Sequence, residues 1–135
     1  MSAAAARRIS SRGVDRVFLA LGAISAFVSV GAGAFGSHAL KDRLSPDLLS
    51  VFEVGVRYEM YHAIGLVAVA WAAARWPGGV AATAGWLFVA GTVLFSGSLY
   101  ALALSGVRAL GAVTPFGGAA FLAGWALLAW AALKG

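Results

Sequence analysis

The sequence predicts an all-α integral membrane protein: four transmembrane helices in an up-down antiparallel bundle, the second of them long with an amphipathic N-terminal half. Three observations carry this. The composition is 61% hydrophobic and only 11% charged, with a mean hydropathy of +0.89. That leaves too little polar surface for a water-soluble domain. The apolar runs are of spanning length and separated by short Pro-, Gly- and Ser-containing turns, which puts sequential helices side by side. One stretch, Ser45 to Trp76, reads as a single helix that changes character half-way.

The N-terminal segment, 1–16, is rich in Ala, Ser and Arg and reads as a flexible basic tail preceding a transmembrane domain over 17–135. The net charge of +5 owes much to Arg7, Arg8, Arg12 and Arg16. Placed before the first apolar run, they act as an orientation signal and not as a nucleic-acid surface. A cleaved signal peptide is the competing reading, but the run is of spanning length and leads directly into structured-looking sequence. The first span is Val17–Phe35, whose end is dense in small residues: Gly31, Gly33 and Gly36 should let a neighbouring backbone approach. Gly36 also suits a helix C-terminus. A polar link follows, Ser37 to Leu44, holding His38.

The central helix should be capped by Ser45, with Pro46 in its first turn and Asp47 at the positive end of the dipole. Trp76-Pro77-Gly78-Gly79 stops it. Its length of roughly 45 Å exceeds a hydrocarbon core of about 30 Å, so its first part must stand outside or at the edge. The second span is its apolar half, about Tyr58 to Trp76. The third extends from Val80 to about Leu104 without a charge. Thr114 and Pro115 open the fourth, as cap and first-turn residue, and it ends near Leu133. Arginines before the first span put the N-terminus in the cytoplasm, and four spans return the C-terminus there, although Lys41, Arg43, Arg57 and Arg108 then lie outside and weaken the bias.

Antiparallel packing brings four segments to one end: GAFGSH, RYEMYH, FSGSLY and TPFGG. The candidate polar cluster or ligand site is therefore His38, Glu53, Arg57, Glu59, His62, Ser96, Ser98 and Tyr100, with Gly31, Gly33, Gly36, Gly97, Gly117 and Gly118 as helix-packing positions. Glu53 and Arg57, spaced i, i+4 with the acid first, are placed for an ion pair. Glu59 and His62 lie one turn apart on a different face. Ionised groups near the hydrocarbon boundary must be paired or wet. Three readings follow: a structural clamp, a polar pocket that binds or moves something, and a catalytic site. The clamp needs the least. His38, His62 and Glu59 lack a tight metal-ligand motif, so no metal is expected. Ser96 and Ser98 lack a nucleophile elbow or a carboxylate triad. Gly91 and Gly97 form no dinucleotide fingerprint, so no cofactor is expected. With no cysteine, disulfides and thiolate sites are excluded. Tyr58, Tyr61, Trp71, Trp76, Trp86, Trp125 and Trp130 read as interfacial anchors or bundle packing.

The stretches GAFGSHALK, FEVGVRYEMYHAIGL, LFSGSLYALALSG and VTPFGGAAFLAGW, in this order and spacing, resemble the YgdD/YwdK family of small inner-membrane proteins, whose eukaryotic relatives are called transmembrane protein 256. The resemblance covers nearly everything after the tail. It implies a four-helix protein of the bacterial inner membrane and carries no activity with it. Ser37 and Glu59 depart from the family pattern, which more often has Ala and Gln there. A Gln at position 59 implies that a titrating carboxylate is not the common mechanism. The leading functional class is a non-enzymatic structural or interaction protein whose partners are membrane lipids, a second copy of the chain or another membrane protein, and not nucleic acid. The alternatives are a binding or transport module for a small molecule, ion or lipid at the polar end, and a membrane enzyme acting on a lipid-like substrate.

Overall fold

The structure, a computed structural model, describes residues 2–135; the side chains at 7–11, including the expected orientation residues Arg7 and Arg8, lie outside the described part. The described chain is all-helical. Helix α1 is Ala3–Phe35, and one π-helical turn, Gly36–Leu40, continues it. Helix α2 is Pro46–Arg75, α3 is Val80–Ser105, and a 3-10 turn at Arg108–Ala112 leads into α4, Thr114–Lys134. Among the described residues, three helical stretches are long and apolar enough to cross a membrane: Arg12–Leu40, Val80–Ser105 and Arg108–Lys134. Helix α2 is not among them, because Glu53, Arg57, Glu59 and His62 interrupt the apolar residues that follow.

The elements begin and end for local reasons. The basic N-terminal stretch is helical from Ala3, where alanines give the backbone its highest helix propensity and the Ser2 hydroxyl accepts from the Ala5 amide at 3.2 Å. Pro46 stands in the first turn of α2 as expected, but Ser45 does not cap: its hydroxyl donates to Asp47 Oδ1 at 2.6 Å. Likewise Thr114 is the first residue of α4 and not its cap, and its hydroxyl is held by Ser98. Both ends of α3 need glycine: Gly79 and Gly106 have φ of +85° and +73°, a region that a side chain disfavours.

The principal packing is α1 on α2, α2 on α3, and α3 on α4. Contacts pair the end of one helix with the start of a neighbour: Gly36 meets Phe52, Tyr100 meets Gly55, and Phe95 meets Gly117. The core runs in three layers. At the polar end are Leu40, Phe52 and Ala103. In the middle are Phe18, Leu66, Val69, Phe88 and Phe121. At the far end are small residues, Ala72, Ala73, Ala81 and Ala131.

At several helix contacts a phenyl ring fills the space left by a glycine. Gly91 lies under Phe121, Gly124 under Phe88 and Gly85 under Phe18, each too close to admit a Cβ. A Cβ on Gly22 would meet the Ala63 carbonyl at 2.8 Å. Of the packing glycines expected from sequence, Gly117 sits directly against the Phe95 backbone, while a Cβ on Gly33 or Gly36 would meet Val56 at 3.3 Å or Phe52 at 3.1 Å. Gly118 makes only ordinary contact, and Gly31 and Gly97 face open space. Density of small residues therefore found Gly33, Gly36 and Gly117 but did not tell which glycines face inward; Gly31 and Gly97 do not.

Candidate functional site

Glu59 is the most unusual residue in the molecule: a carboxyl group on α2 that is 5% exposed. Gly55, one turn earlier, makes room for the Tyr100 ring from α3, where a Cβ would come within 2.9 Å of it. The tyrosine hydroxyl then donates to Glu59 Oε2 at 2.5 Å, within the range of a charge-assisted hydrogen bond. From the other side the Ser25 hydroxyl of α1 reaches Oε1 at 3.4 Å, a weak contact by its length. Glu59 thus joins three helices.

The α2 backbone beside it takes two further ties. Ser96 Oγ of α3 donates to the Gly55 carbonyl at 2.7 Å, and Ser29 Oγ of α1 donates to the Val56 carbonyl at 2.9 Å. Both carbonyls also belong to the helix ladder, and each uses its second lone pair for a neighbouring helix. Ser98 Oγ donates to the Phe95 carbonyl at 2.9 Å and lies 2.7 Å from Thr114 Oγ1, linking α3 to α4.

His62 occupies a second sector, between α2 and α4. Its Nδ1 is 2.6 Å from the Tyr58 carbonyl, and Trp125 Nε1–H donates to its Nε2 at 3.1 Å. The imidazole lies parallel to the Phe121 ring, with centroids 3.4 Å apart. Beside it is a cleft of about 710 Å³, lined by Tyr58, Tyr61, Phe95, Pro115, Phe121 and Trp125 among others.

The structure therefore brings together Glu59 and Tyr100, and sets Ser96, Ser98 and His62 at neighbouring ties. It leaves His38, Glu53 and Arg57 exposed and outside this layer. Glu53 and Arg57 do not form the expected ion pair. Among the described residues the ion pair within 4 Å is Asp47–Arg108, at 2.6 Å. The Arg108 guanidinium, with help from the Ser45 hydroxyl, holds the Asp47 carboxyl down at about 2. Among the described residues no three His, Asp or Glu side chains converge to hold a metal ion. The one buried side-chain polar atom there without a partner is the Thr92 hydroxyl.

Sequence reasoning missed Ser25, Ser29 and Trp125. Gly22, Ser25, Ser29, Gly33 and Gly36 recur every three or four residues, which marks the face of α1 that meets α2. Trp125 offers no comparable signal, since a tryptophan in an apolar helix reads first as an anchor.

These ties involve three of the four segments singled out in the sequence, RYEMYH, FSGSLY and TPFGG, and all four segments lie within the region matched by a family model. Residues 32–118 match a family model described as a protein of unknown function (DUF423). The membrane protein YwdK of Bacillus subtilis is 50% identical over 120 residues, covering 88% of this chain and 98% of its own length. The chain belongs to the UPF0382 membrane-protein family. Members from Staphylococcus epidermidis and Staphylococcus haemolyticus are 48% and 46% identical, over 88% and 84% of this chain and 97% and 92% of theirs. No solved structure matches. The family description names no activity, so function must be argued from the residues themselves. The family region contains Glu59, His62, Ser96, Ser98 and Tyr100, whereas Ser25, Ser29 and Trp125 lie outside it.

Proposed function

We propose that this is a four-span protein of the bacterial inner membrane, with both termini cytoplasmic, whose buried polar layer is a structural clamp and which acts without chemistry of its own, as a packing partner for a second copy or another membrane protein. The supporting observation is that the buried carboxylate is already satisfied: Glu59 accepts from Tyr100 and Ser25, and the groups around it are spent on one another. A reaction centre keeps a nucleophile, base or open coordination position available to substrate.

The four-span reading has a geometric support. A 30 Å hydrocarbon core takes about 20 helical residues. Counted back from Arg75 this reaches Gly55, counted forward from Val80 it reaches Tyr100, and counted back from Lys134 it reaches Thr114. These positions meet through Gly55–Tyr100 contact and the Ser98–Thr114 hydrogen bond. One plane thus passes through all three helices, with Arg75 and Lys134 at the opposite boundary. Glu59 and His62 lie within two turns of that plane, where interhelical hydrogen bonds replace water.

Proteoliposomes test the reading. Vesicles holding the wild-type protein should retain an imposed pH gradient as long as empty ones, and Glu59→Gln should change nothing. A proton leak abolished by Glu59→Gln contradicts the clamp and makes the layer a transport path. The cleft beside His62 favours a second reading, a binding module for an apolar molecule arriving sideways from the lipid, because it is lined almost wholly by aromatic and apolar side chains.

A further inference from the structure

Glu53 and Arg57 hold the spacing and order that favour an ion pair, yet they do not form one. Both are exposed, and both line a groove of about 220 Å³ between α1 and α2. Its remaining walls are Gly33, Gly36, Ser37, Phe52 and Val56. The groove exists because two glycines of α1 face α2 there, and a Cβ on either would press on Val56 or Phe52. The Ser37 hydroxyl hydrogen is occupied by the Gly33 carbonyl, at 2.9 Å. What remains is an apolar floor with one cation and one anion a helical turn apart, neither paired among the described residues. By the residue count above, the pair straddles the level of the headgroups.

We propose that this groove holds one phospholipid with a zwitterionic, primary-ammonium headgroup, that is, an ethanolamine phospholipid. The phosphate accepts from the Arg57 guanidinium, whose planar fork matches phosphate oxygens. The ammonium, two carbons further on, donates to the Glu53 carboxylate. An acyl chain descends along Gly33 and Val56. The charge pattern selects among headgroups. A glycerol phospholipid answers Arg57 but sets its net negative charge beside Glu53. A choline phospholipid carries both charges but has no N–H to donate. The inference rests on the membrane placement of α2 proposed above.

Native mass spectrometry of the full-length protein tests it, with an equimolar mixture of ethanolamine, choline and glycerol phospholipids bearing identical acyl chains. The wild type should retain one ethanolamine lipid about tenfold over the others, the worth of one charge-assisted hydrogen bond. Glu53→Gln should remove the preference over choline, and Arg57→Gln should lower retention of all three. Both side chains are exposed, so the variants should unfold at the wild-type temperature, which is measured alongside. Equal retention of the three classes shows ordinary annular lipid and overturns the site, as does a preference for the glycerol headgroup. Placement is tested separately, with a water-soluble maleimide on both sides of the vesicle. Ser50→Cys should react and Ile64→Cys should not, although Ile64 is 62% exposed in the protein alone. Reaction at both overturns the placement; loss of headgroup preference with the expected labelling overturns the lipid site alone.

Discussion

His62 carries its proton on Nδ1. An indole N–H can only donate, so Nε2, which receives the Trp125 bond, must be the accepting nitrogen, and Nδ1–H is left to donate to the Tyr58 carbonyl. Both nitrogens are thus engaged within the protein. Trp125→Phe keeps the aromatic packing and removes the donor. It should cost roughly 0.5–1.5 kcal/mol in thermal unfolding in detergent, nearer the lower figure because interhelical hydrogen bonds in membranes average about 0.6 kcal/mol. Glu53 and Arg57 show where residue-level reading from sequence overreached. An i, i+4 rule gives proximity, but an exposed pair gains only about 0–1 kcal/mol and must immobilise two long side chains to do so. The double-mutant cycle Glu53→Leu with Arg57→Met should give a coupling energy indistinguishable from zero in lipid-free detergent; a clear coupling would restore the pair.

From α2 onward, helix positions were legible to within a few residues, because Pro46, Pro77-Gly78-Gly79, Gly106 and Pro115 punctuate the chain and the stretches between them are largely apolar, whereas α1 begins at Ala3 and not at Val17. The inward face of each helix was less so. Helix α3 is apolar on every side, and lipid is as apolar as a neighbouring helix, so periodicity cannot tell lipid from core. Only contacts reveal that Gly91 and Gly124 carry phenyl rings while Gly97 faces open space. Gly91→Ala and Gly124→Ala should therefore destabilise the α3–α4 pair by about 1–3 kcal/mol through overpacking. Gly97→Ala and Gly31→Ala should stay within about 0.5 kcal/mol of wild type, or gain slightly from helix propensity. Thermal melts of the four variants check this, and equal losses in all four would mean the packing faces are misassigned. At the start of α2, Asp47 is a link of a different kind, tying that helix to the turn before α4. Its carboxyl is depressed to about 2 by Arg108 and Ser45. The stabilisation it gives is present above the ordinary carboxylate value and is lost as pH falls through about 2. An acid melt of wild type should thus show a small additional loss at the lowest pH that Asp47→Asn lacks, and salt should reduce the difference, since both partners are exposed.

For the whole molecule, the membrane class and the family were readable from composition and from four short motifs. The number of crossings was harder, because α2 holds Glu59 and His62 among its apolar residues and so falls short of a spanning helix by apolarity alone. The structure gives the reason. Glu59 and His62 are turned inward to Tyr100 and Trp125, and the exposed side of the same helix carries Ile64, Val67 and Trp71. If α2 crosses, both termini lie on one side. Reporter fusions at Gly135 and ahead of Ala3 should both report cytoplasm. A periplasmic signal from either one would remove a crossing and move Glu59 out of the bilayer.

The clamp itself stands or falls on Glu59 and Tyr100. The direct measurement is a double-mutant cycle on thermal or denaturant unfolding in detergent, using Tyr100→Phe, Glu59→Leu and the two combined, with Glu59→Gln as reference. Tyr100→Phe leaves a buried carboxyl without its main donor and should lower stability. The double variant removes that stranded group and should recover part of the loss, giving a coupling of about 1 kcal/mol. Glu59→Gln, which still accepts from Tyr100 through its carbonyl oxygen, should remain within about 0.5 kcal/mol of wild type. Additive single effects, with Glu59→Gln as damaging as Glu59→Leu, would contradict a clamp and show that the carboxylate is held there for something other than the fold.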